Sequence, residues 1–269
     1  DEKEYLLDVF AELLYESEGI FHQYFTNSIN FFLEKRSRKD FIPLLVAVAK
    51  GNNTIKSIQE SLGKTDNSLG KKLETLQSMD LIYNSGVFFK ISDRFFEYWL
   101  KYVYSLKTES MIDDMDIRYI EFKRSIEEDY SRFRVFSAKS IEEIIKGFFA
   151  AFRNQKIRVS MNDRRMPHFD DVRSRKISDN VIEVTGTIKN NKWLCRVKSN
   201  DITEENDIHA LAGCKMDKKN SKIVRKIFIP LKSIEQNAFL LAQEQNIWIW
   251  EITQLNEILR LFEEFEIVL

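Results

Sequence analysis

Cysteine is nearly absent from this 269-residue chain: only Cys195 and Cys214 occur. Two are too few for a disulfide framework, and their spacing matches no metal-ligand pattern. Proline occurs three times and glycine eight, so helices with few long loops are expected. No run approaches the ~18 apolar residues of a membrane span, and no signal-peptide pattern is visible. A reducing, cytoplasmic compartment and no membrane partner are therefore the expectation. Charge of one sign is missing too. Lys and Arg number 41 against 42 Asp and Glu, a formal net charge of −1, so no global field draws the chain to nucleic acid or acidic lipid. Any such binding must come from local patches. The first residue is Asp1, not Met, and a longer natural polypeptide extending upstream is expected.

Aromatic residues, by contrast, are plentiful, and the 21 Phe recur at helical spacing, which assigns most of them to a core. Residues 1–39 read as approach helices. One stripe is Leu6, Val9, Phe10, Leu13 and Leu14; a second is Phe21, Phe25, Ile29 and Phe32, with a break near Ser17-Glu18-Gly19. His22 falls among them and reads as a hydrogen-bonded structural histidine.

Residues 40–107 follow the order helix, helix, helix, two short β runs, aromatic helix. The first helix is Phe41 to Ala49, with Pro43 in its first turn and Gly51 as its left-handed cap. Thr54 can N-cap the second helix, and Gly63 closes it. The third carries Leu69, Leu73 and Leu76 inward and Lys71, Lys72, Glu74, Thr75 and Gln77 outward. Leu81–Tyr83 and Val87–Ile91 flank Asn84-Ser85-Gly86 as a hairpin. This order predicts a winged helix, a helix-turn-helix variant with an appended hairpin. Its outward face is close to neutral, whereas duplex binding rests on several Lys and Arg contacts to phosphate; a docking role is favoured over direct reading of DNA. The helix behind it, with Phe95, Phe96, Trp99, Tyr102 and Val103, reads as a joint between two packed units. Residues 108–134 are charge-alternating and read as an exposed helical connector.

From residue 135 to 269 the pattern predicts α-β-β-β-α-β-α-β-α, an α/β domain with a mixed sheet covered by helices. Ser140 and Glu143 form a capping box. The β runs are Ile157–Met161, Val181–Ile188, Trp193–Val197, Ile223–Pro230 and Ile247–Glu251. Two runs depart from neutrality. Residues 153–176 hold eight basic residues, Arg158, Arg164, Arg165, Arg173 and Arg175 among them, against three acidic. Residues 215–226 hold six, including Lys218 and Lys219, against one. Together they make a candidate phosphate-binding face, with solvated loops as the plain alternative. His168, beside Asp170 and Asp171, has arginines on both sides and is a poor cation site. Cys195 and Cys214 read as core residues.

The stretch VIEVTGTIKNNKWLCRVKSNDI resembles the restriction-endonuclease-like fold. That resemblance implies an Asp at the end of the first hairpin strand and Glu-x-Lys on the second, the carboxylates holding a divalent cation. Thr185 stands where the Asp belongs, Arg196 where the Glu belongs, and Lys198 alone keeps its type. A hydroxyl and a guanidinium cannot replace two carboxylate ligands, so the nuclease signature is degenerate. Glu183 lies two residues from Thr185 on the same strand face, about 6.6 Å away at ~3.3 Å per residue, and is the one candidate rescue. A winged helix, the run RFFEYWLKYVY and such a domain together resemble the C-terminal half of archaeal- and bacterial-type STAND-class P-loop ATPases. No GxxxxGK[ST] loop occurs here, so ATP and Mg²⁺ are expected only for an upstream domain, and no cofactor for this region. The resemblance implies a non-catalytic region that binds DNA or a partner, the upstream ATPase domain and a second copy being candidate partners. The alternatives are an active Mg²⁺-dependent nuclease using Glu183 and a protein-interaction scaffold.

Overall fold

The computed structural model describes residues 2–33, 35–63, 65–109, 115–159, 162–214 and 222–268, and the chain divides into two units, Asp1–Arg134 and Val135–Leu269. The first is built mainly of helices, with one hairpin; the second is built on a mixed sheet. No helix among the described residues is long and apolar enough to cross a membrane.

In the first unit, α1 (Glu2–Phe10) continues through a π-helical turn, Ala11–Tyr15, and α2 (Ile20–Phe32) follows the break at Gly19. The next helix, α3 (Lys35–Ala49), starts earlier than expected, so Pro43 sits in its interior and not in its first turn. Leu44 to Ala49 are all buried, and that burial outweighs the hydrogen bond Pro43 forfeits. Gly51, at φ 90°, ends the helix. Thr54 caps α4 (Ile55–Ser61) through a box with Ser57. Before α5 (Leu69–Ser78), Asp66 accepts from the Ser68 backbone N–H and hydroxyl, bracing the turn that leads into the helix. The hairpin β1 (Ile82–Ser85) and β2 (Phe88–Ile91) pairs antiparallel around Gly86, whose φ is 67°.

The aromatic helix is α6 (Arg94–Trp99) with the π-helical turn Leu100–Tyr104 and α7 (Ser105–Glu109). Phe96, Trp99, Leu100 and Val103 lie in the first unit's own core, where Phe25 packs on Phe96 and Trp99. The charged helix α8 (Met115–Ser137) is not simply an exposed connector. Phe122 and Ile126 are buried in the same core, with Tyr15 against the rings of Tyr119 and Phe122. A helix with three buried residues, Phe122, Ile126 and Phe136, among many charges shows only a weak apolar stripe, so its buried side is hard to read from sequence.

In the second unit, Ser140 and Glu143 cap α9 (Ile141–Ala150) as expected. A hairpin of β3 (Lys156–Val159) and β4 (Asn162–Arg165) precedes a five-stranded sheet. Its strands are β5 (Asp171–Ser178), β6 (Val181–Ile188), β7 (Asn191–Lys198), β8 (Lys222–Pro230) and β9 (Trp248–Ile249), in that order across the sheet. The pairings run antiparallel, antiparallel, parallel, parallel. Strands β4 and β5 are additions to the expected set. Their residues read in sequence as part of a charged run, because an exposed strand at the sheet's edge carries no buried face to imprint an alternation.

Helices cover both faces. Ile208 and Leu211 of α10 (Glu205–Ala212) and Ala238 and Ala242 of α11 (Gln236–Glu244) pack on Leu194 and Phe228. On the opposite face, Phe148, Phe149 and Phe152 of the α9 region meet Phe169, Trp250 and Phe262, the last just beyond α12 (Ile252–Leu261). Gly186 lies under Phe169: a Cβ there would sit 2.6 Å from the ring. The ring is held by Phe149, stacked at 5.6 Å, and by Trp193, so it has little room to yield. Gly186→Ala is expected to destabilise this unit by about 1–3 kcal/mol, the usual cost of overpacking, read as a lower midpoint in urea.

Candidate nucleic-acid interface

The antiparallel pairing of β6 and β7 decides which side chains meet. Glu183 lies directly opposite Arg196, and Thr185 opposite Leu194. The two positions singled out as missing cation ligands, Thr185 and Arg196, are thus not cross-strand partners; Glu183 is the carboxylate that faces Arg196. On the other side, Arg175 of β5 pairs with Glu183. Glu183 is only 1% exposed. Its Oε1 accepts from Nε of Arg175 at 2.7 Å and from Nη2 of the same residue, and its Oε2 accepts from Arg196 Nη2 at 3.0 Å.

A buried carboxylate between two guanidiniums has its charge compensated and its lone pairs occupied. It has neither the free oxygens nor the surrounding negative potential that a divalent cation requires. Arg196 also donates to the Cys214 sulfur at 3.3 Å, while its Nε has no hydrogen-bond partner among the described residues. Lys198 is equally engaged: Nζ donates to Asp207 Oδ2 at 2.8 Å and to the Ile202 carbonyl at 2.9 Å. Among the described residues no group of three or more His, Cys, Asp or Glu is placed to hold a metal ion.

Because α10 and α11 cover only the β7–β8 side of this face, the β5–β6 side stays open. A shallow depression of about 420 Å³ lies there, lined by Arg173, Arg175, Glu183, Thr185, Thr187 and Lys192 among others. All six share one face by strand alternation and register. Arg173 donates to Asp171 at 2.6 Å but is 83% exposed along its side chain. The rim is cationic, the floor carries hydroxyls, and the one buried carboxylate is already paired. Thr187 and Lys192 are not singled out by sequence. Strand parity from Thr185, together with pairing across the hairpin, places both beside it.

The other basic candidates do not converge there. Lys71 is exposed on α5, whereas Lys72 is held by Asp66 at 2.8 Å and Asp40 at 3.2 Å. Those bonds keep the Asp66 carboxyl well below its usual range, the Lys72 hydrogen bond being the main cause. Arg158 and Lys156 share Asp163, whose carboxyl is likewise held low, chiefly by Lys156 and then Arg158. Arg164 and Arg165 lie on β4, while Arg173 and Arg175 belong to strand β5 and not to a solvated loop. Lys218 and Lys219 lie outside the described residues.

Two of the three histidines, His22 and His168, have structural partners. His22 Nδ1 accepts from Trp99 Nε1 at 3.1 Å. His168 has a ring nitrogen 3.1 Å from the Phe152 carbonyl, and Asp170 accepts from the Lys189 backbone N–H. Burial pushes the Cys195 thiol well above its usual range, which keeps it protonated and unreactive. No protein-family model, curated protein or solved structure matches the chain.

Proposed function

We propose that this chain is a non-catalytic nucleic-acid-binding region in which a restriction-endonuclease-like sheet has exchanged its cation site for an internal ion-pair network. The observation that carries the reading is Glu183, buried and held by Arg175 and Arg196 where a metal-dependent nuclease needs free carboxylates. The strand order of the sheet, with an antiparallel β5–β6–β7 and a parallel β8 reached through α10, is compatible with that fold. The open rim beside it, Arg173 and Lys192 over the Thr185 and Thr187 hydroxyls, suits a phosphate backbone better than a cation.

In the first unit, α3, α4 and α5 followed by the β1–β2 hairpin are read as a winged helix. With Lys72 consumed by Asp40 and Asp66, its exposed face has little charge left for duplex DNA, and the module serves for docking. The resemblance to STAND-class P-loop ATPases then makes an ATPase domain its partner.

Gel shifts with single- and double-stranded DNA at two salt concentrations test this, alongside incubation of plasmid with Mg²⁺ or Mn²⁺. The expected result is binding at low salt, weakened in an Arg173→Gln, Lys192→Gln variant. The salt slope should become shallower by about two units, roughly one for each cation withdrawn from a phosphate. No cleavage is expected. Cleavage that Glu183→Ala abolishes would restore the nuclease reading. Absence of any low-salt binding would transfer the role to protein docking.

A further inference from the structure

On the sheet face opposite the groove, two cations share one aromatic ring. Strand register puts Trp193, Arg225 and Trp248 on that face: Trp193 pairs with Arg225, and Ile227, two residues on, pairs with Trp248. The Arg225 Cζ lies 4.1 Å from the Trp248 ring centroid, and the Arg164 Cζ, reaching in from β4, lies 4.3 Å from it. No more than the sum of those distances separates the two guanidiniums. Trp193 meets Trp248 edge-on at 5.3 Å and 89°, fixing the ring they share.

What opposes these two arginines sets them apart from the ion-paired cations of the sheet. In the same unit Arg173, Arg175, Lys176, Arg196 and Lys198 each have a carboxylate partner. Neither Arg164 nor Arg225 pairs with a carboxylate among the described residues. The one hydrogen bond either makes there is from Arg225 Nη1 to Asn246 Oδ1, at 3.3 Å. Each guanidinium carries five N–H donors and stays charged at any working pH, so most of the donors are unspent. The Trp248 face gives each cation a favourable contact but does nothing to neutralise the repulsion between them. Burial, and then the charge of Arg164, hold the Arg225 pKa below its ordinary value.

We infer that Arg164, Arg225 and Trp248 form a binding site for a dianionic phosphate group, distinct from the groove on the other face. A carboxylate has one charge and two oxygens, which a single guanidinium fork saturates. A phosphate monoester, or free phosphate, carries up to two charges and three acceptor oxygens, more than one fork saturates, which suits two guanidiniums that share one ring. Trp248 acts as the platform: the guanidiniums lie over its π-surface, so the ring positions them and is not offered to a stacking base.

The test is calorimetric titration of the whole chain with inorganic phosphate, with tryptophan emission as a second readout. Saturable binding with a change in emission is expected. Arg164→Gln and Arg225→Gln should each weaken it about tenfold or more, the scale of removing a charge-assisted pair of hydrogen bonds. Arg164→Lys, which keeps the charge but not the fork, should weaken it less. Arg173→Gln, in the groove that holds no tryptophan, should leave the emission change intact, so this site and the groove fail separately. Far-UV circular dichroism confirms that each variant is folded. A second arm compares a 5′-phosphorylated oligonucleotide with the unphosphorylated strand: preference for the phosphorylated end assigns the phosphate to nucleic acid, and equal affinity assigns it to a free ligand. Absence of phosphate binding by the unsubstituted protein, or binding unaltered in both glutamine variants, overturns the inference.

Discussion

Glu183→Gln is expected to destabilise the second unit by about 3–5 kcal/mol, the cost of removing one partner from a buried ion pair. The effect falls mainly on Arg196. Its side chain is 10% exposed against 69% for Arg175, so Arg175 can return to water while Arg196 is left charged and unpaired in the sheet. Equilibrium unfolding in urea reads the effect as a shift in midpoint with little change in slope. The double variant Glu183→Leu, Arg196→Met removes both charges and should lie close to the unsubstituted protein or above it, because the network then has no orphan. A Glu183→Gln cost below about 1 kcal/mol would mean that the network is solvated. The same substitution also bears on binding: it deletes one of the two carboxylates that line the groove, Asp171 being the other, so any variant that remains folded should bind nucleic acid more tightly.

Trp99→Ala should cost the first unit about 3–5 kcal/mol, the usual range for emptying an aromatic site in a core. Trp99 is 2% exposed and packs against Phe25, Phe96 and Tyr104 at ring separations of 5.9, 6.1 and 5.4 Å. Its Nε1–H is also donated to His22, so truncation removes the ring packing and a hydrogen bond together. Trp99→Phe refills most of the volume and should recover the larger part of the stability, leaving mainly the missing donor. Thermal unfolding separates the two: a Phe variant as unstable as the Ala variant would shift the weight from packing to the hydrogen bond.

Legibility in sequence varies by element. Thr54, Gly51, Ser140 and Glu143 mark their helix ends by chemistry that acts within four residues, and each does what its type implies. Strand β7 and the C-terminal part of β8 announce themselves as apolar runs because helices bury both of their faces. Strand β5 does not, since its polar residues face water and only pairing with β6 makes it a strand. Phe122 is hidden among the charges of α8. The aromatic helix reads as a joint because composition says that rings are buried without saying against what.

The sequence by itself determined the local and the periodic: helix caps, turns, the apolar stripes of α5 and α9, and a mixed α/β arrangement. Tertiary structure alone decided which charges meet. Register set Glu183, not Thr185, against Arg196; the sheet edge brought Arg175 to the same carboxylate; and the β3–β4 hairpin laid Arg164 over Trp248, 84 residues away in the chain. Whether a charged side chain is a ligand, a strut or an open donor depends on what lies within a few ångströms of it. Those neighbours come from strands and helices far apart in sequence, brought together by burial of apolar surface that is indifferent to the charges it carries along.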